Sequence, residues 1–229
     1  MSAAKKTAIF EAVLRASKDV DYVVRGGRSY LDKVPAAALK ALAAALPEYF
    51  TTGDWNVSAA STADVSKLCD RVKAAYAAAK TPVRISLSVN DKSVRYLVES
   101  SKVPVGWITD VSQSSVGKTD GRCRDLQSKS VTTKGVRYSS LCDCLSQMHR
   151  ALSSETFAKG LKTALRARAI LNLAKPPGTG YAAGLVKQLW RDLSPPHSQK
   201  GGCKQQGGGC DDYDQTTQEG AEAAYKAGC

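Results

Sequence analysis

Apolar residues recur at helical spacing along much of this chain. Ile9, Phe10, Val13 and Leu14 fall on one face of a helix over residues 4–17, which is an amphipathic pattern. Further helices are predicted, from spacing or from capping residues, over residues 35–46, 61–79, 94–101, 137–152, 153–174 and 181–193. The sequence therefore predicts a mainly α fold, a helical bundle in which strands play a minor part.

One segment alternates with the period of a strand instead. VRISLSV, residues 83–89, places apolar and polar side chains on opposite faces and is the minor β element of the predicted fold. Residues 105–111 could form another strand, and residues 19–25 either extend the first helix or form a short strand. Gly26–Gly27 is interpreted as a break and residues 53–58 as a turn or loop.

The charge of the chain is strongly positive and unevenly distributed. Lys and Arg total 33 against 21 Asp and Glu, a net charge of +12, while residues 195–229 hold more acids than bases. A compact body with such an excess repels itself unless a polyanion neutralises it. Nucleic acid is the default partner, because each phosphate contact releases condensed counterions. An anionic membrane is the rival, but neither a basic helix with large apolar anchors nor a lipidation signal is clear, so no membrane partner is expected.

Composition divides the chain in two. Residues 1–193 are predicted to form a basic helical domain that binds RNA and assembles. Residues 194–229 are low in complexity, rich in Gly, Cys and acids, and are predicted to be a disordered C-terminal tail. Within the domain, the polar segment 104–135 is too long for an ordinary connection. It is either a functional loop or disordered until something binds.

Patterns that could support enzyme chemistry are incomplete. SQSSVGKT, residues 112–119, is similar to a phosphate-binding loop, but Ser112 stands where that loop needs glycine. Cys142, Cys144 and His149 could supply metal ligands, although the two cysteines would point about 200° apart on a helix. The sequence therefore predicts no catalytic residue, no metal site and no cofactor.

The middle of the chain resembles the coat proteins of rod-shaped plant viruses, the tobamovirus, hordeivirus and benyvirus group. WNVSAASTADVSKLCDRV (55–72) is similar to the entry into their first long bundle helix. TPVRISLSVNDKSVRYLVESSKV (81–103) is similar to their short strand, turn and helix. A variable polar loop follows, as residues 104–135 do here, and then a helix such as 136–152 and a Phe-bearing segment such as 153–161.

That resemblance implies a non-enzymatic coat or nucleocapsid protein that polymerises helically around single-stranded RNA, in the virion and the host cytoplasm. RNA would lie against the inner loop and the adjoining helices. The residues to which the resemblance points are Arg122, Arg124, Lys129, Lys134 and Arg137, with Arg95, Lys159, Lys162 and Arg166 as secondary candidates.

Two departures from the family and several alternatives stay open. The chain continues far beyond the Phe-bearing segment and its body is more basic, so a flexuous-filament coat or a segmented-virus nucleocapsid is a close rival. Outside the viral class, the alternatives are a cellular nucleic-acid-binding protein that does not polymerise, a nucleotide-binding enzyme that uses residues 112–119, and a purely structural interaction module.

Overall fold

The computed structural model describes residues 2–90, 93–113, 130–154, 157–173 and 180–193. Helices and strands are interspersed along this part of the chain. The helices are α1 (Ala3–Ala16), α2 (Gly26–Asp32), α3 (Ala36–Ala45), α4 (Pro47–Phe50), α5 (Thr62–Ala78), α6 (Leu141–Ser154), α7 (Phe157–Leu173) and α8 (Gly180–Asp192). The strands are β1 (Tyr22–Arg25), β2 (Trp55–Ala59), β3 (Arg84–Asn90), β4 (Ser93–Ser100), β5 (Val103–Asp110), β6 (Val131–Thr133) and β7 (Val136–Tyr138).

The seven strands form one mixed sheet in the order β3-β4-β5-β2-β1-β7-β6. The pairs β2–β5 and β1–β7 are parallel, and the other neighbours are antiparallel. The fold is therefore α/β, and the prediction of a mainly α bundle with one minor strand is wrong. The predicted helices over residues 4–17, 35–46, 61–79 and 181–193 and the strand over 83–89 are confirmed within a residue or two.

One face of the sheet is covered by α1 and α5. Phe10 and Leu68 from these helices pack with Trp55, Val57 and Ile108 from the central strands, and all five are almost fully buried. The rings of Phe10 and Trp55 stack with their centroids 6.2 Å apart. We call this set, with its neighbours, the sheet core.

A second core is made mostly by helices and lies beside β1. Tyr30, Leu145, Met148, Ile170 and Leu189, from α2, α6, α7 and α8, are buried together with Phe50 of α4, and partly buried residues of α3 pack against them. We call it the helical core. It joins the sheet through an ion pair of 2.9 Å between Arg25 at the end of β1 and Asp143 on α6, in which both side chains are largely buried.

The segment 94–101, predicted as a helix, is instead strand β4. The backbone N–H and Oγ of Ser93 both donate to Oδ1 of Asn90, at 2.8 and 3.1 Å, so Ser93 stabilises a hairpin connection and does not cap a helix. Val98 is fully buried because β4 lies between β3 and β5. Residues 81–103 are thus part of a sheet. The helical bundle implied by the resemblance to rod-shaped virus coat proteins is contradicted.

One other local interpretation is also wrong, and one is confirmed. Residues 53–58 were expected to form a turn or loop, but β2 begins at Trp55 and occupies the middle of the sheet. Gly26–Gly27 does break β1, yet both glycines open α2. The division of the chain at residue 193 stays a prediction, because the tail over 194–229 lies outside the described residues. Within the described residues, none of the helices combines the length and apolarity needed to cross a bilayer.

Candidate functional site

The basic residues expected to contact RNA do not meet at one place in the described chain. Arg122, Arg124 and Lys129 lie outside the described residues. Lys134 is exposed in the turn between β6 and β7. Arg137 instead closes the end of α1: its Nη2 donates to the carbonyls of Ser17, Lys18 and Val20, and its guanidinium lies 4.7 Å from the centroid of the Tyr22 ring. Contact of these residues with RNA stays a prediction.

The secondary candidates behave differently. The negative charge of Asp54, which directly precedes β2, favours the charged form of three of these cations. They are Arg95 on β4 and Lys162 and Arg166 on α7. The same holds for Arg28 on α2. We call these five residues the Asp54 cluster. The side chain of Lys159, the other candidate on α7, is not among those described.

Strand register explains how β4 contributes to this cluster. Asn56 of β2 is paired with Trp107 of β5, so both side chains lie on the face of the sheet opposite α1 and α5. Trp107 is paired in turn with Leu97 of β4, whose same-face neighbour is Arg95. The Arg95 guanidinium lies 4.3 Å from the centroid of the Trp107 ring, within the range of a cation–π contact. Asn56 reaches back and donates from Nδ2 to Oδ2 of Asp54 at 3.4 Å.

Two arginines from different helices hold the chain that leads into β2. Arg28 donates from Nε to the carbonyl of Asp54 at 2.9 Å and from Nη2 to that of Thr52 at 3.4 Å. Arg166 donates from Nε to the carbonyl of Tyr49 at 2.7 Å and from Nη2 to that of Thr51 at 2.9 Å. Because these carbonyls are fixed from both sides, the position of Asp54 is set by the helices as well as by the sheet.

The turn between β1 and α2 lies against the same segment. Gly26 has φ of +64°, a conformation that side chains rarely tolerate. A Cβ on Gly27 would lie 2.7 Å from both Nη1 of Arg166 and Cγ2 of Thr52. Glycine at position 27 is therefore what allows the Arg166 guanidinium to approach the backbone of this turn.

Burial disfavours the charged form of each cation in the cluster and so lowers its pKa. Loss of water lowers the pKa of Arg28, Arg95 and Arg166 from its ordinary value, and in each of them the charge of Asp54 opposes that shift. The pKa of Lys162 is lowered first by burial and then by the neighbouring charge of Arg166, against the opposing charges of Asp54 and Glu48. The charge of Asp54 thus acts on four partly desolvated cations, with Glu11 adding to it at Arg28 and Glu48 at Lys162, so positive charge stays in excess in the cluster.

The four cations differ in whether they donate hydrogen bonds to the described part of the protein. Arg28 and Arg166 use their guanidinium groups on backbone carbonyls, so they position the chain. Arg95 stacks on Trp107, and Lys162 is half-buried; within the described residues neither side chain donates a hydrogen bond or forms an ion pair. Arg95 and Lys162 are therefore the members available to an external anion.

The segment similar to a phosphate-binding loop begins as a local turn. Ser112 donates from its backbone N–H at 3.0 Å and from Oγ at 2.5 Å to Oδ1 of the buried Asp110, whose Oδ2 accepts from Thr62 at 2.6 Å. These bonds hold the pKa of Asp110 below its usual range although burial opposes them. The first N–H of the segment is thus used inside the protein. Residues 114–119 lie outside the described chain.

The cysteine and histidine pattern on α6 does not form a metal site within the described residues. Cys144 is fully buried, with Sγ 3.2 Å from Oγ of Ser29, and burial raises its thiol pKa to about 12. Nδ1 of His149 lies 2.6 Å from Oδ2 of Asp192 on α8. Cys144 is therefore part of the helical core, and His149 joins α6 to α8.

Sequence reasoning missed most of the residues at the centre of this site. Asp54 and Asn56 fall in the segment interpreted as a loop, and Gly26–Gly27 was read only as a break. A signal was present in the alternation of Trp55, Val57 and Ala59 with polar neighbours, which has the period of a strand. The segment is five residues long, and its burial depends on α1 and α5.

No protein-family model matches the chain, and no curated protein matches it. Among solved structures, the Megavirus polyadenylate synthase is similar with a TM-score of 0.48 and 14% identity, over 76% of this chain and 32% of that chain. A proposed nucleotidyltransferase from H. pylori is similar with a TM-score of 0.38 and 13% identity, over 84% of this chain and 93% of that chain. The chain thus spans about a third of the viral enzyme.

One of these neighbours is named a polyadenylate synthase and the other a nucleotidyltransferase, and neither is named a coat protein, so they lend no support to the predicted capsid protein. The seven-stranded sheet independently excludes the helical bundle on which the capsid expectation depended. At TM-scores below 0.5 and identities of 13–14%, neither likeness assigns an activity to this chain.

Proposed function

We propose that the protein binds the phosphate groups of a nucleotide at the Asp54 cluster. The observation that supports this is that Arg28 and Arg166 donate to backbone carbonyls of the segment 49–54, while the charge of its last residue, Asp54, also acts on the partly buried Arg95 and Lys162. Partly desolvated cations in excess are costly unless an anion joins them. A di- or triphosphate supplies several negative oxygens within a few ångströms and suits guanidinium and ammonium donors.

Arg95 and Lys162 contact the phosphates in this proposal, since neither side chain donates a hydrogen bond to any part of the chain that the structure describes. Arg28 and Arg166 are positioning residues, because their hydrogen bonds to carbonyls fix the segment that carries Asp54. The carboxylate of Asp54 keeps the unliganded cations together. It also offers an acceptor for a sugar hydroxyl, which would distinguish a nucleotide from a plain polyphosphate.

Lys162→Met tests this proposal directly. Isothermal titration calorimetry with ATP and UTP at physiological salt is expected to give saturable binding to the full chain. The variant should bind at least tenfold more weakly, since a hydrogen bond between charged groups contributes about 1.5–3 kcal/mol. Lys187→Met on α8 is the matched control, because that lysine is exposed, and it should bind as the wild type does.

Two results would overturn the proposal. One is the absence of triphosphate binding under conditions in which single-stranded RNA binds, which would favour the predicted RNA partner at another surface. The other is equal weakening of triphosphate binding by Lys162→Met and Lys187→Met, which would mean that net charge and not the Asp54 cluster attracts the ligand.

A further inference from the structure

A cavity of about 240 Å³ lies directly beside the Asp54 cluster. Asp54 belongs to both: it is the carboxylate of the cluster and also part of the cavity wall. The remaining wall comes from the start of β5, the segment before β2 and one turn of α1. The lining residues are Lys6, Thr7, Gly53, Asp54, Val103, Pro104 and Val105.

The most unusual of these residues is Lys6. Lys6 is only 7% exposed, and its Nζ donates to the carbonyl of Ser100 at 2.9 Å. An ammonium group has three donors, and within the described residues this one hydrogen bond is the only polar contact of Nζ. No carboxylate in the described chain lies within ion-pair distance of it. A buried cation with donors to spare therefore lines the cavity.

The rim of the cavity is held in place by a tight turn. Ser101 and Lys102 connect β4 to β5 with φ values of +53° and +63°, as a two-residue hairpin with both residues left-handed requires. The pairing of β4 with β5 then shifts register between Val98 and Glu99, which brings Val105 into the cavity wall. On the other side, Oγ1 of Thr7 donates to the carbonyl of Gly53 at 3.3 Å. The cavity is thus formed before any ligand arrives.

The volume of the cavity and the chemistry of its walls limit which ligands it can bind. Pockets for drug-sized ligands span about 300–1,000 Å³, so a cavity somewhat smaller than these suits one ring system and not a whole nucleotide. Val103, Pro104 and Val105 offer apolar walls, as the flat faces of a heterocyclic base require. Lys6 offers a donor for a ring nitrogen or a carbonyl oxygen of that base.

We infer that this cavity binds the base of the nucleotide whose phosphates bind at the Asp54 cluster, with Lys6 donating to the edge of the base. The inference depends on the proposed function, because Asp54 links the two sites. A sugar between them would lie next to Asp54. Phosphate binding then supplies charge attraction, and the cavity supplies the preference for nucleotides over simple polyphosphates.

The test compares inorganic tripolyphosphate, ribose 5-triphosphate and the four nucleoside triphosphates by calorimetry on the full chain. The nucleoside triphosphates are expected to bind at least tenfold more tightly than the other two. Val103→Trp places a bulky ring at the cavity rim and should remove that preference while leaving tripolyphosphate affinity unchanged. Val131→Trp is the matched control, since Val131 is a similarly exposed strand valine on β6, and it should keep the preference.

Lys6→Met provides a second variant that does not fill the cavity. It should reduce the preference about tenfold, and its retained affinity for tripolyphosphate would show that the Asp54 cluster is intact. A preference for nucleoside triphosphates that persists in both variants would overturn the inference while leaving the proposed function standing. Failure of the wild type to bind tripolyphosphate and nucleoside triphosphates alike would overturn the proposed function and this inference with it.

Discussion

Nη1 of Arg166 occupies the space that a side chain on Gly27 would need. A Cβ at position 27 would come within 2.7 Å of that atom and of Cγ2 of Thr52. Arg166 cannot simply move aside, because its Nε and Nη2 are held by the carbonyls of Tyr49 and Thr51. This relationship couples the turn after β1 to α7 and to the segment that carries Asp54.

Gly27→Ala is therefore expected to destabilise the protein. The new methyl group must either displace the guanidinium of Arg166, a residue that is only 5% exposed, or bend the turn, at a cost of about 1–3 kcal/mol. Urea unfolding followed by circular dichroism measures this. Gly160→Ala on α7 is the control, because nothing lies within 4 Å of its Cβ and alanine favours a helix by about 1 kcal/mol. Equal stability of the two variants would contradict the assigned contact.

Removing one partner of the ion pair between Arg25 and Asp143 should lower the free energy of unfolding. Both side chains are largely buried, and Nε of Arg25 has no hydrogen-bond partner among the described residues. Asp143→Ala leaves that guanidinium uncompensated, so we expect a loss of about 3 kcal/mol in the free energy of unfolding. Asp70→Ala, which breaks an exposed pair with Lys73 on α5, should change it by less than about 0.5 kcal/mol. If the two variants proved equally stable, the Arg25–Asp143 pair would not join the sheet to the helical core.

Arg71 and Asp19 give the protein a predictable response to acid. Hydrogen bonds of 2.8 Å from both terminal nitrogens of Arg71 lower the pKa of Asp19 from 3.8 to about 2. Because the folded pKa lies below the unfolded one, this contribution to stability is present above pH 3.8 and is lost as the pH falls towards 2. Arg71→Met should therefore lower stability at neutral pH and flatten its decline between pH 4 and pH 2.

Unfolding free energies measured by urea titration at several pH values test that response. Lys73→Met is a suitable control. Lys73 lies on the same helix, and its Nζ makes only a long, exposed contact of 3.9 Å with Oδ1 of Asp70. An unchanged slope between pH 4 and pH 2 in Arg71→Met would show that Asp19 has no depressed pKa.

Two thiols should resist alkylation in the native protein. Burial raises the pKa of Cys69 to about 11 and that of Cys144 to about 12, so almost no thiolate is present at pH 8. Iodoacetamide labelling mapped by mass spectrometry should leave both unmodified until denaturant is added. Leu173→Cys supplies a control thiol at an exposed position of α7 and should be labelled at once. Native labelling of Cys144 would mean that the helical core opens.

The sequence by itself determined the longer helices. Ile9, Phe10, Val13 and Leu14 fix α1, and the Ser61 cap with Asp64, whose N–H donates to Oγ of Ser61 at 3.2 Å, fixes the start of α5. Such elements are encoded by periodicity and by hydrogen bonds within a few residues. The excess of positive charge was likewise visible in the composition.

Only the tertiary structure decided the sheet and the site. The segment 94–101 was interpreted as a helix from its local cap, and it becomes β4 because neighbours on both sides pair with its backbone and bury Val98. Arg95 and Arg166 are distant in sequence from Asp54 and Asn56, and strand register and the packing of α7 against the segment before β2 bring them together. Long-range pairing has no signature in local periodicity, so a sequence pattern can locate a helix but not the partners of a strand.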